Sequence, residues 1–312
     1  MTAGKPGQTV RYRQGAGYDH DHFDYVALPK RPALAWPGGK RIAFCVYLYL
    51  EYLELDPPQG TVRDPRYGGA LGSYFPDYLN YSHREYGNRV GVFRVLEALD
   101  RHGIKATVAA NAMLAERCPE LIEACRARGF EIAAHGIAAT RMITSRMSEA
   151  EERETIAHAL EAVARVAGTR PAGWFGQDFG ESPRTPGLLA EAGLSYVADW
   201  PNDDQPYAMK MGRPLIAMPN QAEWDDTQSM AIRRVTPPGW RDVLCEAFDY
   251  LHEEASPSGS VFTLGLHPWL AGQAHRVRYL REALDRIAGY GEVWQATAME
   301  VADWYRAHAA GA

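Results

Sequence analysis

The chain has 312 residues, 46% of them apolar, and a formal net charge of −6. That much apolar residue can build one large core, and acidic and basic side chains are interspersed with no basic stripe, which argues against a nucleic-acid surface. No apolar run approaches the 18 residues a transmembrane helix needs.

The first 25 residues are polar and aromatic, without the apolar stretch of a secretory signal, so a cytoplasmic protein is expected. Cys45, Cys118, Cys125 and Cys245 form no CxxC pair and read as reduced thiols. After an N-terminal arm (1–40), Arg41–Leu50 (RIAFCVYLYL) reads as a buried strand. A loop insertion follows at about 54–82. Its Tyr67, Tyr74, Phe75, Tyr78 and Tyr81 would wall a small pocket or pack on a neighbouring subunit. Asn88–His102 predicts a helix with Val92, Val95, Leu96 and Leu99 on one face. Ile104–Ala110 is a strand, Pro119–Arg128 a helix stopped by Gly129, and Phe130–Ala134 a strand ending at His135. Ser148–Ala167 is a long helix opened by a capping box, Ser148 with Glu151. Then come a strand at Pro171–Phe175, a helix at Thr185–Ala192, and strands at Ser195–Ala198 and Leu215–Met218. A helix at Arg241–Glu254 precedes the Ser260–Leu266 strand, which ends at His267. A helix at His275–Ala288, a short strand at Glu292–Trp294 and a helix at Thr297–His308 close the chain.

Strands alternating with helices argue for a parallel sheet with helices outside. Seven or eight such units predict an α/β fold, a distorted (β/α)7-8 TIM-like barrel over 41–312. The arm would pack on the barrel or at a subunit interface. Such a barrel carries its chemistry at the C-terminal ends of its strands. Those ends read Glu51, Asn111, His135, Trp174 with Gln177 and Asp178, Asp199, then Asn220, Glu223 and Asp226, and finally His267. A single histidine beside a glycine is more often structural, and a Glu after a strand is usually the first solvated residue. Two histidines and several carboxylates on one rim supply acid, base and metal-ligand chemistry together. Arg89 reads as a structural partner of the acidic strand ends, and Asp199, Asp203 and Asp204 as a brace to Arg170 or Arg89. His275 and Arg276 read as a helix cap.

The order of these features resembles the polysaccharide-deacetylase (NodB-like) superfamily over about residues 40–307. In that family the first strand ends in two aspartates, whereas Leu50-Glu51 stands here. The third strand there ends in two metal-binding histidines four apart; His135 matches the first and Ala139 replaces the second. Arg170-Pro171-Ala172-Gly173-Trp174 is similar to its R-x-P motif, and LGLHPW around His267 to its late histidine motif. Longer phrases, Glu85–Ala112, Glu131–Gly136, Arg170–Ser182, Tyr196–Tyr207 and Gly265–Arg276, resemble the allantoinase-like and cyclic-imidase-like branch. The resemblance implies hydrolysis of C–N bonds in small cyclic amides, and a homo-oligomer, often a tetramer.

A zinc site needs three protein ligands and an open position, and alanine cannot supply one. Two arrangements stay open: catalysis without metal, which is preferred, or zinc or another divalent metal on Glu51, His135 and His267 or a nearby Asp. A strained or activated cyclic imide or ureide is an easier target than a plain acetamide when no metal polarises the carbonyl. The expected mechanism is general acid–base hydrolysis. Glu51 or His135 would deprotonate water, and His267 would protonate the leaving nitrogen. Asn111, Arg170, Trp174, Tyr81 and Glu223 are the expected substrate contacts. The competing readings are a carbohydrate N-deacetylase with an unorthodox metal site and a binding-only relative.

Overall fold

Nine consecutive buried residues, Ile42–Leu50, form strand β1, which has neighbouring strands on both edges. Phe44, Val46, Leu48 and Leu50 face the helices, while Ala43, Cys45, Tyr47 and Tyr49 face inward. A strand buried on both faces has no polar side to alternate with, hence the unbroken apolar run. The computed structural model describes residues 19–61, 76–254 and 258–309. Tyr67, Tyr74 and Phe75 lie outside these, and Tyr78 and Tyr81 belong to a helix rather than a loop.

That helix, α1 (Tyr78–Tyr86), passes through a π-helical turn at Gly87–Gly91 into α2 (Val92–Asp100). The chain continues through β2 (Ala106–Ala110), α3 (Ala112–Arg117), α4 (Pro119–Arg126), β3 (Glu131–Ala134) and α5 (Glu149–Ala167). The predicted capping box at Ser148 and Glu151 is formed. Next are β4 (Gly173–Trp174), α6 (Thr185–Glu191), β5 (Tyr196–Val197), β6 (Tyr207–Ala208), β7 (Ile216–Ala217) and α7 (Pro237–Glu254). The chain closes with β8 (Ser260–Leu266), α8 (Pro268–Ala271), α9 (Val277–Ala288), β9 (Val293–Gln295) and α10 (Ala298–Ala309). The short elements α3 and β6 were not foreseen; six and two residues are too few to show a period.

The strands form one curled sheet in the order β6-β7-β5-β4-β3-β2-β1-β8, with β9 beside the first residues of β1. All pairs are parallel except β6 with β7. The open side, between the segment after β7 and β8, is bridged by side chains, Gln221 among them. The Gln221 amide donates to the Val261 carbonyl at 2.8 Å and accepts the Thr263 N–H at 2.8 Å. These are the two bonds that a neighbouring strand's peptide would make, so Gln221 completes the distorted (β/α) barrel at its seam.

Inside, Tyr47, Phe175, Tyr196 and Met218 pack with small alanines from β2 and β3. The arm reaches the same core: Trp36 is buried in it and donates its indole N–H to the Ser260 carbonyl at 2.9 Å. Phe23 sits edge-on to Trp200 with ring centroids 5.4 Å apart. Among the described residues, no helix is long and apolar enough to cross a membrane.

Candidate active site

The C-terminal ends of β1, β3 and β8, with the turn after β4 and the segment after β7, converge on one narrow pocket. Glu51, His135, Gln177, Asp225, His267 and Tyr49 line it, around about 330 Å³ of free space that includes its mouth. A wider groove beside the arm, lined by Tyr25, Val26, Arg31 and Tyr305, shares none of these groups.

Glu51 is buried at 5% exposure, with both carboxylate oxygens and its carbonyl engaged. Arg84 from α1 ion-pairs with Oε2. Gln177 Nε2 donates to Oε1 at 2.6 Å, and Asn88, one turn after Arg84, donates to the Glu51 carbonyl at 2.7 Å. Burial opposes ionisation, but the adjacent Arg84 guanidinium, the neighbouring His135 ring and the His267 charge outweigh it. The carboxyl is held far below its ordinary range. Arg84 is itself stacked 4.2 Å over the Trp269 ring of α8, which fixes its fork.

His135 Nδ1 lies 2.9 Å from the Phe175 carbonyl, an oxygen that only accepts, so Nδ1 carries a proton. That leaves Nε2 facing the pocket, 3.4 Å from Glu51 Oε1. Across the pocket, His267 donates both its backbone N–H and its Nδ1–H to the two oxygens of Asp226, each at 2.7 Å. Its ring stacks on Tyr49 at 4.4 Å with 4° between planes. Burial favours a neutral ring, yet the Asp226 charge and its hydrogen bond, helped by Asp225 and Glu51, push His267 up to about 9. Its Nε2–H is thus a charged donor at neutral pH.

Asp225 turns Oδ1 to the Thr227 N–H at 2.7 Å, the Thr227 hydroxyl and the Gln228 N–H at 3.1 Å. Its Oδ2 packs over Gly265, where a Cβ would lie only 2.4 Å away. Glycine at 265 is what lets this carboxylate reach the pocket floor.

The predicted residues divide. Glu51, His135 and His267 come together. Asn111 sits just behind, but its side chain is spent: it caps α3 through the Leu114 N–H at 2.9 Å and accepts the Tyr52 N–H at 3.3 Å. Trp174 points outward into the helix layer, because Phe175, one residue on, takes the inward position. Arg170 is exposed at the opposite, N-terminal end of β4, bonded to the Ala192 carbonyl. Glu223 is exposed and paired with Arg233 at 2.8 Å. Tyr81 meets the Tyr52 hydroxyl at 3.5 Å and does not line the pocket. Arg89 pairs with Glu85 at 3.8 Å, and Asp199 braces the Gly176 N–H rather than an arginine. Arg276 caps α9 by position, with no side-chain bond to the helix.

Sequence reasoning missed Arg84, Asp225 and Tyr49. The Asp225-Asp226 pair beside the expected Asp226 was the available signal; Arg84 had none.

The donor set does not fit the metal that the resemblance implies. Among the described residues, Glu51, His135 and His267 do not close into one ligand set; the trio that does is Asp225, Asp226 and His267. In that trio His267 Nδ1 and Asp226 already satisfy each other. At the other end Arg84 and Gln177 occupy the Glu51 oxygens, and Ala139 offers only a backbone N–H, given to the Tyr52 carbonyl.

Residues 85–197 match the polysaccharide deacetylase family model. A Schizosaccharomyces pombe protein provisionally named a polysaccharide deacetylase is 27% identical over 244 residues, 72% of this chain and 75% of that protein. A solved probable polysaccharide deacetylase from Pseudomonas aeruginosa PAO1 aligns with a TM-score of 0.78 at 28% identity, over 89% of this chain and 95% of its own. The structure of PuuE allantoinase aligns with a TM-score of 0.79 at 27% identity, over 92% and 99%. Residues 85–197 thus match the polysaccharide deacetylase (NodB) domain family, and the curled parallel sheet is the barrel fold of these two solved neighbours.

Proposed function

We propose that the protein is an amidohydrolase that opens small cyclic amides, imides or ureides, by general acid–base catalysis. The observation that carries this reading is the opposed pair of histidines. His135 has Nδ1–H tied back and Nε2 open to the pocket; His267 is charged through Asp226 and presents Nε2–H. Glu51 is too weak a base to take a proton from water, given how far Arg84 lowers it. His135 Nε2 is therefore the base, and Glu51 stabilises the imidazolium that forms.

Water adds to the ring carbonyl as its proton passes to His135. The C–N bond of the tetrahedral intermediate then breaks, and His267 gives its proton to the departing nitrogen. The product is the ring-opened acid. Asp225 Oδ2, on the pocket floor, is placed to accept a substrate N–H. The likeness to PuuE allantoinase over almost the whole chain supports ring opening. So does the engagement of both Glu51 oxygens by Arg84 and Gln177, which leaves neither turned to a metal shared with His135. A homo-oligomer belongs to the same reading and is checked by sedimentation.

The test is a panel of hydantoin, allantoin, succinimide and glutarimide, assayed for ring opening beside acetate release from N-acetylated chito-oligosaccharides. Ring opening without acetate release supports the reading, and the reverse overturns it.

A further inference from the structure

Beneath the turn that carries Gln177 lies a second carboxyl pair, Asp199 after β5 and Glu181 after the turn. Asp199 Oδ1 accepts the Gly176 N–H at 2.6 Å. Its Oδ2 and Glu181 Oε1 are both buried without a well-aligned hydrogen bond, and the Trp200 indole N–H beside Glu181 is likewise buried without one. The two carboxyls lie within hydrogen-bonding reach of each other. Two bare carboxylates in contact, away from water, repel and leave both orphaned; one proton between them satisfies both. Burial pushes both groups upward, Glu181 furthest, and Asp199, which holds the amide N–H, is the better place for the charge. The charged neighbours facing the pair are His135 from β3 and Glu152 from α5, the latter already tied to Arg184.

The turn above is crowded and strained. A Cβ on Gly176 would lie 2.7 Å from the Gly180 carbonyl oxygen and 2.8 Å from Asp199 Oδ2. Asp178 and Phe179 take φ of 53° and 58°, a left-handed backbone that non-glycine residues hold only where surrounding contacts enforce it. The same segment meets both catalytic groups: the Phe175 carbonyl on His135 and Gln177 Nε2 on Glu51.

We propose that Asp199 and Glu181 share one proton and act as a positioning pair, clamping Gly176 so that the strained turn holds Gln177 on Glu51 and the Phe175 carbonyl on His135. The inference rests on the reading of Glu51 and His135 as the reacting site, and the experiment separates the two. Infrared difference spectra of the substrate-free protein at pH 7 should show a protonated-carboxyl stretch that Glu181→Gln removes. Its absence from the wild type, or its survival in Glu181→Gln, overturns the shared proton whether or not any ring is opened. If rings are opened, Glu181→Gln keeps a neutral donor and should stay within about threefold of wild-type kcat. Glu181→Leu removes the donor and should lower kcat by about tenfold or more with KM little changed, the mark of misplaced catalytic groups. Wild-type kcat in a folded Glu181→Leu protein overturns the positioning role. Failure of the wild type to open any ring, with the carboxyl band present, counts against the functional reading alone.

Discussion

Replacing Asp226 by Asn tests the acid directly. In the native pocket burial alone would drive His267 below 6.5, and Asp226 raises it instead to about 9. That displacement corresponds to about 3 kcal/mol in favour of the imidazolium. Asp226 does this with both oxygens, one on the backbone N–H and one on Nδ1–H of His267. Asparagine has a single oxygen. If the backbone keeps it, the amide NH2 faces Nδ1 and enforces a neutral ring; if the ring keeps it, the backbone N–H meets another donor. Either way His267 should fall to about 6.5 or lower, and ring opening at pH 7.5 should drop by roughly 10³-fold, as when a relay carboxylate is neutralised elsewhere. Proton NMR of the imidazole and a pH–rate profile check this. The wild-type alkaline limb should lie near 9, and that of Asp226→Asn should move to acid pH. Stability follows the same sign: a raised histidine contributes fully below 6.5 and loses that contribution as pH rises through about 9, so this loss should vanish in the variant. An unmoved alkaline limb and an unmoved imidazole titration would refute the assignment.

Other expectations follow from the same contacts. Glu51→Gln keeps the shape but removes the counter-charge to His135, and kcat should fall on the order of 10²-fold with KM little altered. Arg84→Ala strands a buried carboxylate, and urea denaturation should show a loss of about 3–5 kcal/mol, partly recovered in the double variant with Glu51→Gln. Arg170→Ala and Glu223→Ala, both exposed and outside the pocket, should leave kcat/KM within about twofold of wild type.

How much of this was legible in the sequence depended on burial. Strand β1 announced itself as an apolar run, and Glu51, His135 and His267 stood out because each ends such a run. Arg84 did not, because α1 buries none of its residues fully and so shows no apolar stripe, and most of its helix reads as loop in the sequence. Trp174 was expected in the pocket because β4 has only two residues, too few to show which neighbour faces in. Arg170 followed the motif rather than the geometry, and lies at the wrong end of its strand. Asp226 was visible as a strand-end carboxylate, but its bond to His267, 41 residues away, was not. The Asp199–Glu181 contact likewise joins two loops, and nothing local in either marks it.

The central claim is that acid–base groups of this chain, rather than a metal, open a cyclic amide. The most direct measurement is kcat/KM for ring opening of the best panel substrate, before and after exhaustive chelation, with metal content determined in both samples. The account predicts an unchanged value in metal-stripped protein and none gained on adding zinc. Loss of activity on chelation, restored by one equivalent of a divalent cation, would contradict it.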